Sequence, residues 1–222
     1  MDFIFMLTRS DETVADCLDT WAEIEHAGLR HAGFKDVGVD IETLIELNRR
    51  MQASGVTTYL EVVSTSADAC VASARAAVEI GVDRLMGGTL VDETLAIVAG
   101  SGIEYLPFPG RPVGHPTRLG GSPALVEEQC RGFCDAGCAG VDLLAYRATE
   151  ADPIELVRAA RRGTAGYLVV AGSVSCVGQI DVLRAAGADA FTIGTAVFDG
   201  SFSPRAGSLA RRVRDVIEAT EG

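Results

Sequence analysis

The sequence predicts an α/β protein that folds as a single (β/α)8 TIM barrel domain over residues 1–222. Short apolar runs alternate with amphipathic helical segments along the whole chain, and eight such units can be counted. Alternation of this kind favours parallel strands joined by crossover helices. Eight units with no segment left over favour a closed barrel. An open doubly wound sheet is the alternative, but no G-x-G-x-x-G motif follows the first strand.

The apolar runs give the predicted strands, and the segments between them give the predicted helices. Most helical segments close on glycine, the common C-terminal stop of a helix. No linker or low-complexity segment interrupts the alternation, so we predict one domain. The predicted strands cover residues 2–8, 31–38, 57–64, 82–89, 103–110, 140–148, 166–173 and 188–198. The predicted helices cover residues 12–28, 41–55, 66–81, 91–102, 124–137, 152–163, 175–187 and 208–220.

The charge of the chain limits its partners. A formal net charge of −12 argues against binding to nucleic acids or anionic membranes, which attract clustered basic residues. The apolar run at the N-terminus is short, follows Asp2 and has no basic region before it. We therefore predict neither a signal peptide nor a membrane span, and we expect a cytoplasmic protein.

Three of the six cysteines recur every four residues, at Cys130, Cys134 and Cys138. This spacing predicts that they share one face of a helix. A metal or redox cluster is one interpretation, but the C-x-x-C spacing of zinc sites is missing. We therefore favour small apolar residues that pack the helix against the sheet.

A phosphate site is predicted at the last two strands. The seventh strand ends at Gly172, followed by Ser173, and the eighth contains Gly194, followed by Thr195. Glycine lets backbone N–H groups approach a ligand closely, and the helix N-termini beyond these strands favour an anion. Barrels bind phosphate with the loops after strands 7 and 8. The alternative is that these glycines only make tight turns.

The segments VVAGSVS and GADAFTIGTAVFDG resemble the ending of the ribulose-phosphate-binding barrels. That superfamily includes orotidine-phosphate decarboxylase, hexulose-phosphate synthase and pentulose-phosphate epimerase. The resemblance implies a homodimer and a small phosphorylated substrate, whose phosphate is held by Gly172, Ser173, Gly194 and Thr195. It covers the last third of the chain by motif. The third strand reads YLEVV where the decarboxylases carry D-x-K-x-x-D, so no single member is matched.

Lys35 is the only lysine of the chain. In the second strand, Ala32 and Phe34 suit the side that packs under helices, so Lys35 is predicted to point into the barrel near its C-terminal rim. By the same alternation Glu61 points inward from the third strand. Because the two strands are neighbours, we expect Lys35 and Glu61 to pair, either as a structural ion pair or as a catalytic amine and its acid.

Further candidates lie at strand ends and on the long loop 110–123, which we expect to cover the site as a lid or to dock on the surface. Asp36 is a candidate acid or base and Arg147 a candidate bidentate ligand for a carboxylate or phosphate. Arg111 is a candidate substrate ligand and His115 a mobile acid or base. Each has an ordinary surface role as its alternative. Asp11 is expected only to cap the first helix.

These residues predict an enzyme that acts on a small phosphorylated sugar or sugar acid. We favour a carbon–carbon lyase of aldolase or decarboxylase type, in which Lys35 forms a Schiff base and Glu61 or Asp36 moves protons. An isomerase or epimerase with a non-covalent Lys35 is the first alternative, and a non-catalytic barrel that binds a phosphorylated metabolite is the second. We expect no cofactor, although Glu61 and Asp36 could supply oxygen ligands to Mg²⁺.

Overall fold

The computed structural model describes residues 1–62, 66–114 and 116–221. Within these ranges, eight parallel strands form one sheet and helices alternate with them along the chain, which confirms the predicted barrel. The strands are β1 (Asp2–Met6), β2 (His31–Lys35), β3 (Thr57–Glu61), β4 (Arg84–Met86), β5 (Glu104–Leu106), β6 (Gly140–Leu143), β7 (Tyr167–Val170) and β8 (Ala190–Ile193).

The helices surround the sheet and follow the predicted segments, although the first helix begins at Cys17 instead of residue 12. Helical turns occupy the ends of two predicted strands: the sixth ends at Leu143 and is followed by a 3-10 turn, and the eighth ends at Ile193, where a short helix replaces its predicted second half. The helices are α1 (Cys17–Ile24), α2 (Ile41–Ala53), α3 (Ala67–Ile80), α4 (Val91–Val98), α5 (Pro123–Asp135), α6 (Pro153–Gly163), α7 (Val177–Ala186), α8 (Thr195–Phe198) and α9 (Leu209–Glu221), and a 3-10 turn covers Ala145–Arg147.

The sheet runs in the order β6-β7-β8-β1-β2-β3-β4-β5, so its ladder is open between β5 and β6. Two backbone hydrogen bonds nearly close this seam. The N–H of Ala139 donates to the carbonyl of Tyr105 at 3.0 Å, and the N–H of Asp142 donates to that of Pro107 at 3.0 Å. Pro107 has no N–H with which to return a bond to β6, and this explains why the ladder is incomplete here.

The apolar core has two parts, one outside and one inside the strands. The outer part lies between the sheet and the helices and includes Ala32, Phe34 and Leu60, as the alternation of β2 and β3 predicted. The inner part fills the barrel with Ile4, Met6, Tyr59, Met86, Leu106, Val169 and Ala190. Gly33 faces this interior, because a Cβ there would lie 2.7 Å from the sulfur of Met6.

The three closely spaced cysteines do not share one face. Cys130 and Cys138 are buried, whereas Cys134 is exposed, and α5 ends before Cys138 is reached. Burial raises the pKa of Cys130 to about 12 and that of Cys138 to about 11.

Within the described ranges, no cluster of histidine, cysteine, aspartate and glutamate could hold a metal ion. Across the same residues, none of the helices is long and apolar enough to cross a bilayer.

Candidate active site

Lys35 and Glu61 end two neighbouring strands and lie opposite each other in the register of β2 and β3. The Nζ atom of Lys35 is 3.3 Å from Oε2 of Glu61. Only 6% of the Lys35 side chain and 9% of the Glu61 side chain are exposed. The predicted inward pair is therefore present, at the carboxyl end of the strands where barrel enzymes place their active sites.

A second carboxylate reaches Lys35 from a hairpin that joins the end of the first predicted strand to the first two residues of the first predicted helix. Thr8–Arg9 pairs antiparallel with Glu12–Thr13. Ser10 (φ 51°) and Asp11 (φ 63°) form the two-residue turn, with both residues in the left-handed region as a type I′ turn requires. The turn brings Oδ1 of Asp11 to 2.8 Å from Nζ of Lys35. Asp11 therefore pairs with the lysine. The expectation that it caps the first helix is wrong, because the residue before α1 is Asp16.

Thr13 fixes this hairpin to the end of β2. Its hydroxyl donates to the carbonyl of Lys35 at 2.7 Å and accepts from the N–H of Lys35 at 2.9 Å. The N–H of Thr13 also donates to the carbonyl of Val37 at 2.9 Å. Gly38 (φ +103°) permits this approach, because a Cβ there would clash with the backbone of Thr13. The position of Asp11 thus follows from backbone contacts on both sides of Lys35.

Arg147 lies in the 3-10 turn after β6. With Asp11, Lys35 and Glu61 it forms a group of four charged residues, called here the ionic cluster. Its guanidinium donates to both carboxylate oxygens of Asp11, at 3.2 Å and 3.1 Å, and to the carbonyl of Thr117 at 3.4 Å. The side chain also packs over Gly172, where a Cβ would lie 2.5 Å from Nε of Arg147. Arg147 therefore contacts both Asp11, beside Lys35, and Gly172, in the predicted phosphate site.

The neighbouring charges determine how Lys35 and Asp11 ionise. Burial favours the neutral amine of Lys35, but the charges of Glu61 and Asp11 outweigh burial and raise the pKa of Lys35 above its usual value. Burial also opposes ionisation of Asp11, yet hydrogen bonds and charges from Arg147 and Lys35 lower its pKa to about 2. Two carboxylates within 3.3 Å of Nζ thus favour the ammonium form of Lys35, although its burial alone would favour the neutral amine.

The ionic cluster and the predicted phosphate site face one cavity of about 440 Å³. Gly172 (φ +78°) and Ser173 (φ +64°) form a left-handed turn after β7. Gly194 lies against the end of β1 and the hairpin that follows it, where a Cβ would be 2.9 Å from the backbone oxygen of Met6 and 2.8 Å from Oγ1 of Thr8. One part of the lining consists of Asp11, Lys35, Glu61 and Arg147, and another of Gly172, Ser173, Gly194 and Thr195. Eight residues from six separate segments thus meet at one opening.

Asp36 does not join this cavity. It follows Lys35, so strand alternation turns it to the helix side, where it accepts a hydrogen bond from the hydroxyl of Ser73 in α3. Burial raises the pKa of Asp36. Because Asp36 and Glu61 lie on opposite sides of the sheet, they cannot coordinate one Mg²⁺ ion as the sequence analysis had allowed.

The long loop after β5 forms a hairpin, Arg111–Val113 with Arg118–Gly120, and its described part docks on the β6–α6 connection. The N–H of Thr149 donates to the carbonyl of Leu119 at 2.9 Å, and that of Gly121 donates to Glu150 at 2.9 Å. These bonds favour the docked surface loop over the lid. Arg111 is mostly exposed and pairs with Glu150, outside the cavity. His115 lies outside the described residues.

Asp142 is a titratable residue that the sequence analysis missed. Its neighbours Val141 and Leu143 belong to the outer core, so Asp142 points into the barrel. It is 0% exposed, and neither of its carboxyl oxygens has a hydrogen-bond partner among the described residues. Burial, and then the charge of Glu61, raise its pKa well above the usual value. A lone acid in the apolar strand GVDLL is the same signal that identified Glu61, and it could have been found in the same way.

No protein-family model matches the chain. No curated protein sequence matches it either. Solved structures do resemble it. Orotidine 5'-phosphate decarboxylase from Pyrococcus horikoshii has a TM-score of 0.66 and 13% identity, over 99% of this chain and 99% of that chain. A mutant tryptophan synthase alpha-subunit from Pyrococcus furiosus has a TM-score of 0.68 and 16% identity, over 100% of this chain and 98% of that chain.

A third similar structure is thiamine phosphate pyrophosphorylase from Pyrococcus furiosus, with a TM-score of 0.67 and 10% identity over 99% of this chain and 94% of that chain. At these identities the likeness shows the fold. The similar structures include an orotidine-phosphate decarboxylase, a member of the superfamily that the end of the sequence resembles. The likeness therefore confirms the predicted barrel fold over the whole chain.

Proposed function

We propose that the protein is an enzyme that cleaves a carbon–carbon bond in a small phosphorylated substrate, with the ammonium of Lys35 stabilising the negative charge that develops. The observation that supports this is the shared cavity. Lys35 is held between Asp11 and Glu61 at one part of the lining, and the turns at Gly172 and Gly194 form another. The names of two similar structures denote phosphorylated compounds, which agrees with a phosphate at these turns.

The proposed reaction uses Lys35 without a covalent bond to the substrate. In an aldol-type cleavage, Glu61 removes the proton of a hydroxyl group, the adjacent carbon–carbon bond breaks, and its electron pair passes to an enolate. The ammonium of Lys35 lies in a largely dry site, where a fixed positive charge stabilises an enolate strongly. Lys35 then donates its proton to the enolate carbon, and the proton that Glu61 took from the hydroxyl passes to Lys35, which restores both groups. In a decarboxylation the leaving group is CO₂, and no base is needed.

A Schiff base is the less favoured role for Lys35. A covalent imine requires a neutral amine. The two carboxylates raise the pKa of Lys35 and hold it protonated. Attack on a carbonyl would therefore first require that the substrate displace Asp11 or Glu61 from the lysine. Trapping with borohydride distinguishes the two roles directly, because a reduced imine adds a stable mass to the single lysine of the chain.

The first experiment is a search for ligands by thermal protection, with sugar phosphates, keto-acid phosphates and their unphosphorylated counterparts. We expect protection by a phosphorylated compound only, and turnover of that compound. Lys35→Arg should abolish turnover and keep protection, because arginine retains the charge but cannot practically lose a proton. Wild-type turnover in Lys35→Arg would refute the proposal. Protection without turnover in the wild-type protein would favour a non-catalytic binding barrel.

Isomerisation or epimerisation is the second candidate. Glu61 and Lys35 lie 3.3 Å apart and both line the cavity, so a base and an acid are available for an enediolate. Reaction in deuterated water separates the candidates. A lyase places deuterium in one of two smaller products, whereas an isomerase places it in a product of unchanged composition.

The homodimer expected from the sequence remains a prediction. Sedimentation of the purified protein measures its oligomeric state.

A further inference from the structure

Asp142 is a buried acid that the proposed reaction does not use. It lies in β6 opposite Val169 of β7, a residue of the inner core, so its side chain is inside the barrel. It does not line the cavity, and no described residue bonds to either of its oxygens. An ionised carboxylate without a partner is costly to bury, so such a position favours the uncharged acid.

The charges that face Asp142 come from three other elements. Glu61 of β3 disfavours its ionisation, while Lys35 of β2 and Arg147 of the 3-10 turn favour it. Burial and the charge of Glu61 outweigh the two cations and raise the pKa of Asp142. The remaining strands contribute the apolar side chains of Ile4, Met6, Met86, Leu106, Val169 and Ala190 to the described interior, together with Thr192 of β8, which lines the cavity, and Tyr167 of β7, which packs against this core.

We infer that Asp142 is a positioning residue of this site, and that as an uncharged carboxylic acid it leaves the ammonium of Lys35 with two carboxylate neighbours instead of three. Lys35 and Arg147 then balance Asp11 and Glu61, so these four residues together carry no net charge. Ionised Asp142 would add a third negative charge to those that act on Lys35. That charge would weaken the binding of an anion and would compete with an enolate for the ammonium. The effect on catalysis rests on the proposed function, whereas the effect on Lys35 does not.

The single lysine provides the first test. Protein labelled with ¹³C at the Cε atoms of lysine gives one side-chain signal, whose chemical shift is followed from about pH 5 to about pH 9, where buried carboxyl groups can titrate. We expect a step in this signal as Asp142 ionises. Asp142→Asn keeps the shape of the neutral acid and should abolish the step. Asp36→Asn is the matched control, a buried acid on the other side of the sheet, and should retain it.

The second test measures the affinity for sulfate, which keeps its charge over this pH range. Wild-type protein should lose affinity by about tenfold as Asp142 ionises, because the two charges share a site of low dielectric. Asp142→Asn should lose much less, and Asp36→Asn should follow the wild type. Circular dichroism confirms that each variant is folded.

The inference is overturned if the step in the lysine signal persists in Asp142→Asn, or if this variant and the wild type lose sulfate affinity in parallel. A wild-type protein that does not bind sulfate at all would contradict the phosphate site of the proposed function. The lysine signal would still support or overturn the role of Asp142 in that case, because it needs no ligand.

Discussion

The ammonium nitrogen of Lys35 lies 2.8 Å from a carboxylate oxygen of Asp11, although the two residues are 24 positions apart in the chain. The contact exists because the hairpin after β1 folds across the end of β2 and is held there by Thr13. Burial alone would favour a neutral amine, and this contact, together with Glu61, keeps Lys35 charged. The hairpin therefore decides which chemistry the only lysine can perform.

Asp11 should make stability depend on pH in the acid range. Its folded pKa of about 2 lies below the ordinary value of 3.8, so its contribution is complete above about pH 4 and is lost as the pH falls through about 2. The stability gap between wild type and Asp11→Asn should narrow by about 2 kcal/mol over this range. Urea denaturation at several pH values measures it. A gap that does not change with pH would contradict the ion pair.

Glu61→Gln should lower the pKa of Lys35. Glu61 is the strongest of the influences that raise this pKa, so its removal leaves burial opposed by Asp11 alone. The signal of ¹³Cε-labelled lysine reports the change directly, because the chain has one lysine. Glu104→Gln is the control. Glu104 pairs with Arg84 at 2.6 Å, away from the cavity, and its loss should leave the titration of Lys35 as it is in the wild type.

Thr13→Val should destabilise the protein by about 1–3 kcal/mol, since it leaves the buried N–H and carbonyl of Lys35 without their side-chain partner. It should also loosen Asp11 and so lower the pKa of Lys35. Thr13→Ser retains the hydroxyl and should restore both properties in large part. Denaturation and the lysine signal measure them in the same samples. Wild-type stability in the valine variant, or a loss in the serine variant as large as that in the valine variant, would contradict the role of the hydroxyl.

Gly194→Ala should weaken sulfate binding and destabilise the protein by about 1–3 kcal/mol. Its Cβ would lie 2.8 Å from Oγ1 of Thr8 and 2.9 Å from the backbone oxygen of Met6, so β8 would have to move away from β1. Gly207→Ala is the control, because a Cβ there meets nothing within 4 Å. Thermal protection by sulfate, compared across the two variants, measures the effect. Normal protection in Gly194→Ala would place the anion elsewhere.

Much of the candidate site could be predicted from local patterns. The alternation of β2 and β3 placed Lys35 and Glu61 in the barrel, and the ends of β7 and β8 placed the two glycine turns on one opening. The same alternation turns Asp36 to the helix side, so its candidacy as a catalytic acid or base went against the pattern of the strand. Asp142 was missed although its strand carries the same signal as that of Glu61.

The hairpin that carries Asp11 could not be predicted in this way. Its turn places Ser10 and Asp11 at positive φ without a glycine, so the residue types gave no indication of it. The segment also carries apolar residues at helical spacing, which favoured a helix from residue 12. Contact of Thr13 with the end of β2 overrides that local preference.

The sequence by itself determined the barrel, the inward direction of Lys35 and the glycines at the ends of two strands, because periodicity and turn composition act on neighbouring residues. The tertiary structure alone decided that Asp11 joins Glu61 at Lys35, that Arg147 links Asp11 to Gly172, and that Asp142 lies inside the barrel with no hydrogen-bond partner among the described residues. Those relationships join segments far apart in the chain, and the energies that govern them, burial and charge, depend on distances that no local pattern encodes.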